Sequence, residues 1–418
     1  MKGMAAALLF LCLTAPLFAQ GKRLWVLREP GEMVEYDPVT FVRKQTVQVP
    51  PEALKSPQNL QVNRPGQMLF AAAASLPLRE GDDGPAQNFW FFDGKTTHTL
   101  ARGLSRSVAR EGSNLAVGET ATVPVLSSEG TRIYWFANEA HRLQRDQVDL
   151  STRTTWRAWR TDLSGASREE MASQAFADCR CTTGSCEETC PYGDVWSRND
   201  GVARCFLLTE FIAGQTQPLY KASFRYEEDG GKWTATTVEP PLHRILDAAD
   251  ADDVLEAIPD TGCCGWANQS DDQSLLRLPG KTLTVFDERA SFNNPDYDVS
   301  FYTQTGKISP ERGYVALTIV ATTGPDRPIQ LAEEGQADPQ ESLRIRKALE
   351  KLPAVEVESI EDPPRQTAYL PHARLVGWIN EKEILVVENH WLVTYNIATG
   401  ERRRSDIRVE DELLVFLR

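Results

Sequence analysis

The densest group of chemically active side chains is a run of four cysteines, Cys179, Cys181, Cys186 and Cys190. Four thiolates this close together are able to bind a zinc ion tetrahedrally. The strong zinc pattern is two well-separated Cys-x-x-Cys pairs, and neither half of this run has that spacing. The alternative is a segment tied together by disulfide bonds, and the compartment in which the protein works decides between the two.

Residues 1–19 have the features of a secretory signal peptide. Lys2 precedes the apolar run from Ala5 to Leu13, and Ala19 supplies the small residue before a cleavage point. The run is too short to cross about 30 Å of hydrocarbon. We therefore expect a periplasmic or secreted protein, with no membrane span in the mature chain, in which disulfide bonds are the default state of cysteine.

Export discards Cys12 and leaves seven of the eight cysteines, so at least one is free, modified or paired between chains. Sequence spacing does not resolve the connectivity. Glycines flank the adjacent pair Cys263 and Cys264, which permits a vicinal disulfide beside Trp266, our candidate ligand-proximal residue; pairing elsewhere is the favoured alternative. The disulfide candidates are Cys179, Cys181, Cys186, Cys190, Cys205, Cys263 and Cys264.

An acidic stretch follows residue 246 and raises the question of a calcium site. It lacks the glycine and the final spaced glutamate of calcium loops, so a solvated acidic face is the favoured interpretation. The stretch comprises Asp247, Asp250, Asp252, Asp253, Glu256 and Asp260.

Motifs for nucleophilic, metal-dependent or phosphate chemistry are missing from the sequence. It contains no Gly-x-Ser-x-Gly elbow, no His-Glu-x-x-His and no phosphate loop, and its five histidines form no ligand spacing. From this pattern we expect no catalytic residue, no metal and no cofactor.

The charge of the chain limits its partners. Its 418 residues include 59 acidic and 45 basic side chains, and the formal net charge is −14, or −15 once Lys2 is removed. Phosphate backbones are bound by clustered lysine and arginine, and the sequence shows no basic block, so we exclude nucleic acid. We expect a monomer whose partner is an unidentified protein or small molecule.

The elements that would position any site are short strands. One recurring unit is a glycine-containing turn followed by an apolar strand, as in Asn63–Gly66 and Ser309–Gly313. In a second unit an aromatic-rich strand runs into an acidic or amide turn residue. The turn residues of this second unit are Asp37, Asp93, Asp162, Asp229 and Asn396.

Repeated small meanders predict an all-β fold, specifically a β-propeller of seven irregular blades. One meander cannot bury its apolar face alone, whereas several stacked around an axis can. A β-sandwich gives similar local signals, but a chain of this length would need two or three of them, and no linker separates them.

The segment Ser309–Ala316 resembles the motif that leads into a strand in TolB-like and WD-like propellers, and Leu24–Asp37 resembles the first blade of exported propellers. The resemblance covers most of residues 23–410, with irregular spacing and without the regular Trp-Asp dipeptide. It implies a fold and a scaffold role, and it carries over no catalytic residue.

The predicted organisation is therefore a signal peptide at 1–19 and one propeller domain at 20–418. A Cys-rich loop between blades is expected at 177–195. A helical insertion is expected near 338–352, where Asp338, Pro339 and Glu341 form a capping sequence. A second helical excursion is expected within 242–258.

Three functions are compatible with these features. The first is an exported non-enzymatic propeller that binds a protein or ligand. The second is a hydrolase or lyase on the same scaffold with an axial carboxylate site, and the third is a structural component of envelope assembly.

Overall fold

The computed structural model describes most of the predicted strands. The described residues are 22–28, 31–55, 60–62, 67–73, 87–104, 110–111, 114–115, 119–121, 125–126, 131–145, 149–182, 185–186, 191–197, 203–210, 219–227, 232–242, 244–248, 253–258, 273–287, 299, 301–409 and 415–417. They are mainly β-strand, which confirms the all-β prediction, with two helices and one short 3-10 turn at Ala53–Lys55.

The strands of the first part of the chain range from two to 14 residues in length. They are β1 Leu24–Arg28, β2 Glu32–Tyr36, β3 Arg43–Gln48, β4 Gln61–Val62, β5 Met68–Ala73, β6 Gln87–Phe92, β7 Thr97–Leu104, β8 Arg110–Glu111, β9 Asn114–Leu115, β10 Glu119–Ala121, β11 Val125–Leu126, β12 Arg132–Arg145, β13 Asp149–Asp162 and β14 Glu169–Thr182.

The second part continues in the same way and adds the helices. Its strands are β15 Ser185–Cys186, β16 Pro191–Ser197, β17 Ala203–Glu210, β18 Leu219–Glu227, β19 Lys232–Leu242, β20 Arg244–Ala248, β21 Val254–Ile258, β22 Gln273–Leu278, β23 Lys281–Asp287, β24 Phe301–Ile308, β25 Tyr314–Ala321, β26 Ala354–Ser359, β27 Arg365–Pro371, β28 Ala373–Asn380, β29 Glu383–Glu388, β30 Trp391–Asn396, β31 Arg402–Arg408 and β32 Val415–Leu417. The helices are α1 Arg327–Glu333 and α2 Pro339–Leu349.

Consecutive strands pair into antiparallel sheets. Five are simple four-stranded meanders: sheet 2 (β4–β7), sheet 4 (β16–β19), sheet 5 (β20–β23), sheet 6 (β24–β27) and sheet 7 (β28–β31). In sheet 3, β10 and β11 both pair with β12, which continues through β13 and β14 to β15. Sheet 1 has the order β3-β2-β1-β32, so it joins the two ends of the described chain; β8 and β9 form a separate ribbon.

The sheets are arranged around an axis. The first strands of sheets 5, 6 and 7 lie side by side, because β20 contacts β24 and β24 contacts β28, and β28 also contacts β32, the edge strand of sheet 1. Apolar clusters fill the spaces between sheets 5 and 6, 6 and 7, 7 and 1, 1 and 2, and 2 and 3. Meanders packed face to face and closed by a strand from the other chain end are the architecture of a β-propeller.

The two recurring sequence units have definite places in this architecture where they are described. The turn Ser309–Gly313 connects β24 to β25, the first and second strands of sheet 6, whereas Asn63–Gly66 lies outside the described residues. The acidic or amide turn residues lie between the third and fourth strands, where Asp37, Asp93, Asp162 and Asn396 each accept hydrogen bonds from backbone N–H groups downstream. Asp229 lies outside the described residues.

The helical insertion connects β25 to β26. As predicted, the Asp338 side chain caps α2 by accepting a hydrogen bond from the Glu341 N–H at 2.8 Å. Ile345 and Leu349 of α2 are buried against sheets 5 and 6, whereas Leu343 is 46% exposed. Helix α1 is additional to the prediction.

The helical excursion expected within 242–258 is wrong. That segment holds strands β20 and β21, which pair with each other. Val254 and Leu255 are buried, and β21 also pairs with β22, so sheet packing decides the conformation of a short apolar run that periodicity alone leaves open.

Candidate functional site

Two glutamates on one strand stand out among the described residues, because their carboxyl groups lie next to each other and both have raised pKa values. Glu356 and Glu358 alternate along β26, so both point to the same face of sheet 6. In the register of the sheet they lie opposite Leu317 and Val315 of β25. Since those two residues belong to the core between sheets 5 and 6, the glutamate pair lies on the side of sheet 6 that faces sheet 5 and the helices.

The pair is held in place by strand β27. Glu358 is 7% exposed, and Glu356 is partly buried. The Gln366 side-chain amide donates a hydrogen bond to Glu356 Oε1, and the two glutamates are hydrogen-bonded to each other. Tyr369 lies opposite Glu356 in the register and is 40% exposed.

This environment separates the protonation behaviour of the two carboxyl groups. Burial, reinforced by the charge of Glu356, raises the pKa of Glu358 to about 8. Burial also raises the pKa of Glu356, but its hydrogen bonds with Gln366 and Glu358 oppose that rise. Both pKa values are therefore raised, and the two carboxyl groups favour a shared proton, with the higher pKa at Glu358.

A neutral acid bonded to a carboxylate is able to give one proton and accept another. Glycoside hydrolases keep their two carboxyl groups roughly 5–9.5 Å apart, which a direct hydrogen bond does not allow. Carboxyl pairs that share a proton are instead typical of water activation at a carbonyl group.

Sequence reasoning missed this pair, and the reason is local. The segment Ala354–Ser359 alternates apolar and polar residues, as any half-buried strand does. Glu358 lies opposite Val315 of β25, which packs in the apolar core with residues of sheet 5, so its burial depends on segments distant in sequence. The local sequence therefore carries no signal for the shifted pKa.

A second concave feature lies where sheet 1 meets sheet 7, and we call it the closure cleft. Its volume is about 590 Å³. Residues of sheet 1 and the segment before it supply all the charges, and Ile379 of β28 supplies part of the apolar wall. The lining residues are Lys22, Arg23, Glu35, Asp37, Pro38, Val39, Lys44, Gln45 and Ile379.

The acidic stretch is not the solvated face that the sequence favours, since three of its members are buried. Asp247 accepts a hydrogen bond from the Ile308 N–H at 2.9 Å and lies 3.3 Å from Lys307 Nζ. Asp253 forms an ion pair with Arg312, and Glu256 forms one with Arg277 at 2.5 Å. Burial without such partners would be costly, so each carboxylate is matched by a donor. Asp250, Asp252 and Asp260 lie outside the described residues.

The cysteine predictions stay largely open. Cys179 and Cys181 lie in β14, and Cys186 lies in β15 opposite Cys181, so part of the segment 177–195 is strand where a loop was expected. Cys205 lies in β17. Cys190, Cys263, Cys264 and Trp266 lie outside the described residues, and the connectivity of the disulfide candidates stays a prediction.

Two features are absent from the described residues. No group of three or more His, Cys, Asp or Glu side chains there is arranged to hold a metal ion. In the same part of the chain, no helix is both long enough and apolar enough to cross a membrane.

Comparison with known proteins gives similarity to solved structures only. No protein-family model and no curated protein matches the chain. The acylaminoacyl peptidase of Pyrococcus horikoshii is 10% identical, with a TM-score of 0.41, over 90% of this chain and 48% of that one. The β-propeller domain of the Trilobed protease from Pyrococcus furiosus is 9% identical, with a TM-score of 0.42, over 89% of this chain and 86% of that one.

Dipeptidyl peptidase 4 of Porphyromonas gingivalis is 9% identical, with a TM-score of 0.44, over 92% of this chain and 57% of that one. This chain thus spans about half the length of the Pyrococcus horikoshii and Porphyromonas gingivalis chains. All three are peptidases or part of a protease, which contradicts the sequence-based prediction of a non-enzymatic binding scaffold. That prediction is wrong and is not retained.

Proposed function

We propose that this protein is a hydrolase that cleaves a carbonyl substrate, an amide or an ester, at the Glu356–Glu358 pair. The observation that carries the proposal is the placement of Glu356 and the buried Glu358 side by side on one face of β26, where Gln366 donates a hydrogen bond to Glu356. Shifted carboxyl pKa values cluster at functional sites. Glu356 and Tyr369 are the more exposed members and mark the side from which a substrate reaches the pair.

The proposed chemistry divides two roles between the glutamates. The Glu356 carboxylate takes a proton from water while the water oxygen attacks the carbonyl carbon, and Glu358 gives its proton to the carbonyl oxygen. When the tetrahedral intermediate collapses, the bond to the leaving nitrogen or oxygen breaks. The leaving group receives the proton held by Glu356, and the re-formed carbonyl returns a proton to Glu358.

The setting of this site is also part of the proposal. We propose that sheets 1 to 7 are seven blades of one propeller domain at 20–418, related to TolB-like propellers. Cleavage of the signal peptide at 1–19 would deliver it to the periplasm or the outside of the cell. The pair lies on the third strand of sheet 6, away from the first strands that surround the axis.

The experiment is a hydrolysis assay with the purified full chain on a panel of fluorogenic amides and esters. We expect cleavage of at least one amide or ester, and a loss of about 10²-fold or more in kcat for E358Q and E356Q. We also expect kcat to fall as the pH rises through about 8, because Glu358 then loses its proton.

The control is E361Q, since Glu361 is 64% exposed and forms an ion pair with Arg365, the first residue of β27. Its activity should equal that of the unmodified chain. Absence of hydrolysis across the panel, or full activity in a folded E358Q variant, would refute the proposal.

A further inference from the structure

The side chains that line the closure cleft carry more positive than negative charge. Its lining includes three cationic side chains, Lys22, Arg23 and Lys44, and two carboxylates, Glu35 and Asp37. The backbone N–H of Thr40 and the Lys44 ammonium lower the pKa of Asp37 to about 2, so Asp37 is ionised at any physiological pH. The cleft therefore presents one more positive than negative charge.

The three cations differ in how completely they are engaged. Lys44 Nζ lies 3.0 Å from Asp37 Oδ2, and Lys22 Nζ donates a hydrogen bond of 2.6 Å to the Trp378 carbonyl. Arg23 Nε lies 3.8 Å from Glu35 Oε1, beyond hydrogen-bond distance. That long contact is the only ion pair or hydrogen bond of the Arg23 side chain with the described residues.

The position of Glu35 explains why it leaves Arg23 available. Glu35 is 4% exposed on β2, and its other oxygen accepts a hydrogen bond from the Gln45 amide. Arg23, by contrast, is 29% exposed and lines the cleft. Its guanidinium keeps a planar fork of N–H donors for a group that enters from solvent.

We propose that the closure cleft binds an organic carboxylate, with Arg23 donating two parallel hydrogen bonds to it. A carboxylate matches the fork of a guanidinium, and its single charge balances the cationic excess of the cleft. Phosphate dianions fit less well, because Glu35 and Asp37 would repel the second charge. Ile379 and Val39 provide the apolar contact that an organic group adds over an inorganic ion.

The test is calorimetric titration of the full chain with N-acetylglycine, its uncharged amide and inorganic phosphate. We expect N-acetylglycine to bind and the amide to bind at least about tenfold more weakly, because hydrogen bonds between charged partners are the strong ones. Equal binding of the acid and the amide, preferential binding of phosphate, or no binding of the acid would overturn the proposal.

Variants separate the guanidinium from the general charge of the cleft. R23Q and R23K should both weaken N-acetylglycine binding about tenfold or more, since lysine keeps the charge but loses the fork. The matched control is R160Q, because Arg160 is 23% exposed and forms an ion pair with Glu169 outside the cleft. A folded R23K variant that binds as tightly as the unmodified chain would also overturn the proposal.

Two further ligands identify the source of the carboxylate. A tripeptide with a free C-terminal carboxylate should bind more tightly than N-acetylglycine if the cleft captures peptide ends. If the cleft takes small free acids, the order reverses. Either order supports a carboxylate site. The outcome does not bear on the proposed hydrolysis at Glu356 and Glu358, which the amide and ester assay tests separately.

Discussion

At the scale of single residues, neighbours from distant parts of the chain decide what a side chain does. Glu356 and Glu358 have the same chemistry and lie two positions apart, yet burial and the neighbouring negative charge favour the protonated form of Glu358. Glu361, on the turn that follows, is exposed and forms an ordinary surface ion pair. Sequence alone treats the three as equivalent.

This difference gives the free energy of unfolding a pH dependence. An unfolded glutamate has a pKa of about 4.3, whereas folded Glu358 has a pKa of about 8. Between these two pH values the folded state therefore binds more protons than the unfolded state. The contribution of Glu358 to the free energy of unfolding is fully present below about pH 4.3 and is lost as the pH rises through about 8. E358Q cannot ionise, so it should be spared this loss.

The measurement is denaturant unfolding of the unmodified chain and of E358Q between pH 4 and pH 9. From the lower to the higher pH, the unmodified chain should lose about 2 kcal/mol or more relative to E358Q. E361Q should instead follow the unmodified chain. Parallel stability curves for E358Q and the unmodified chain would mean that Glu358 is ionised in the folded protein at neutral pH.

At the scale of elements, one hairpin turn shows how neighbouring sheets are locked together. The turn Ser309–Gly313 of sheet 6 is bound by Glu381 of sheet 7, which accepts hydrogen bonds from the Ser309 hydroxyl and from the N–H groups of Glu311 and Gly313 at 2.7–2.8 Å. On the other side, sheet 5 reaches the same turn through the ion pair between Asp253 and Arg312.

Replacing Glu381 by alanine should therefore separate sheets 6 and 7 at this turn. It removes the acceptor of three hydrogen bonds, and we expect the free energy of unfolding to fall by about 2–4 kcal/mol. G313A should act in the same direction, because its added Cβ would lie 2.5 Å from Glu381 Oε1. Denaturant unfolding measures both changes.

The control for this pair is E361A, which removes an exposed carboxylate and should change stability by less than about 0.5 kcal/mol. An E381A variant as stable as the unmodified chain would show that the turn holds its place without Glu381.

The same hairpin shows which features of the structure can be predicted from the sequence and which cannot. Turn chemistry is local, so the segment Ser309–Gly313, the turn at Asp37 and the cap at Asp338 were predictable from their residues. The partners that bury a charge come from other sheets. The burial of Asp247 and Asp253, the Glu356–Glu358 pair and the closure cleft therefore could not be predicted from local sequence.

At the scale of the whole molecule, the described chain is closed by a pairing between its two ends. Strand β32 pairs with β1 at Leu24–Leu417, Trp25–Phe416 and Val26–Val415. Val415 and Leu417 also pack into the apolar cluster between sheets 7 and 1. The closure cleft lies at the same junction, so its shape depends on this pairing.

Deletion of residues 415–418 should open the ring at sheet 1. The core loses the burial of two aliphatic side chains, and β1 keeps β2 but loses its other partner strand, so we expect the free energy of unfolding to fall by about 3 kcal/mol or more. Adding a peptide of residues 410–418 should restore part of the lost thermal stability, because a free strand is able to pair with an exposed sheet edge. Deletion of Arg418 alone is the matched control. If the truncated chain were as stable as the full one, with no response to the peptide, the pairing of β1 with β32 would not be what closes the molecule.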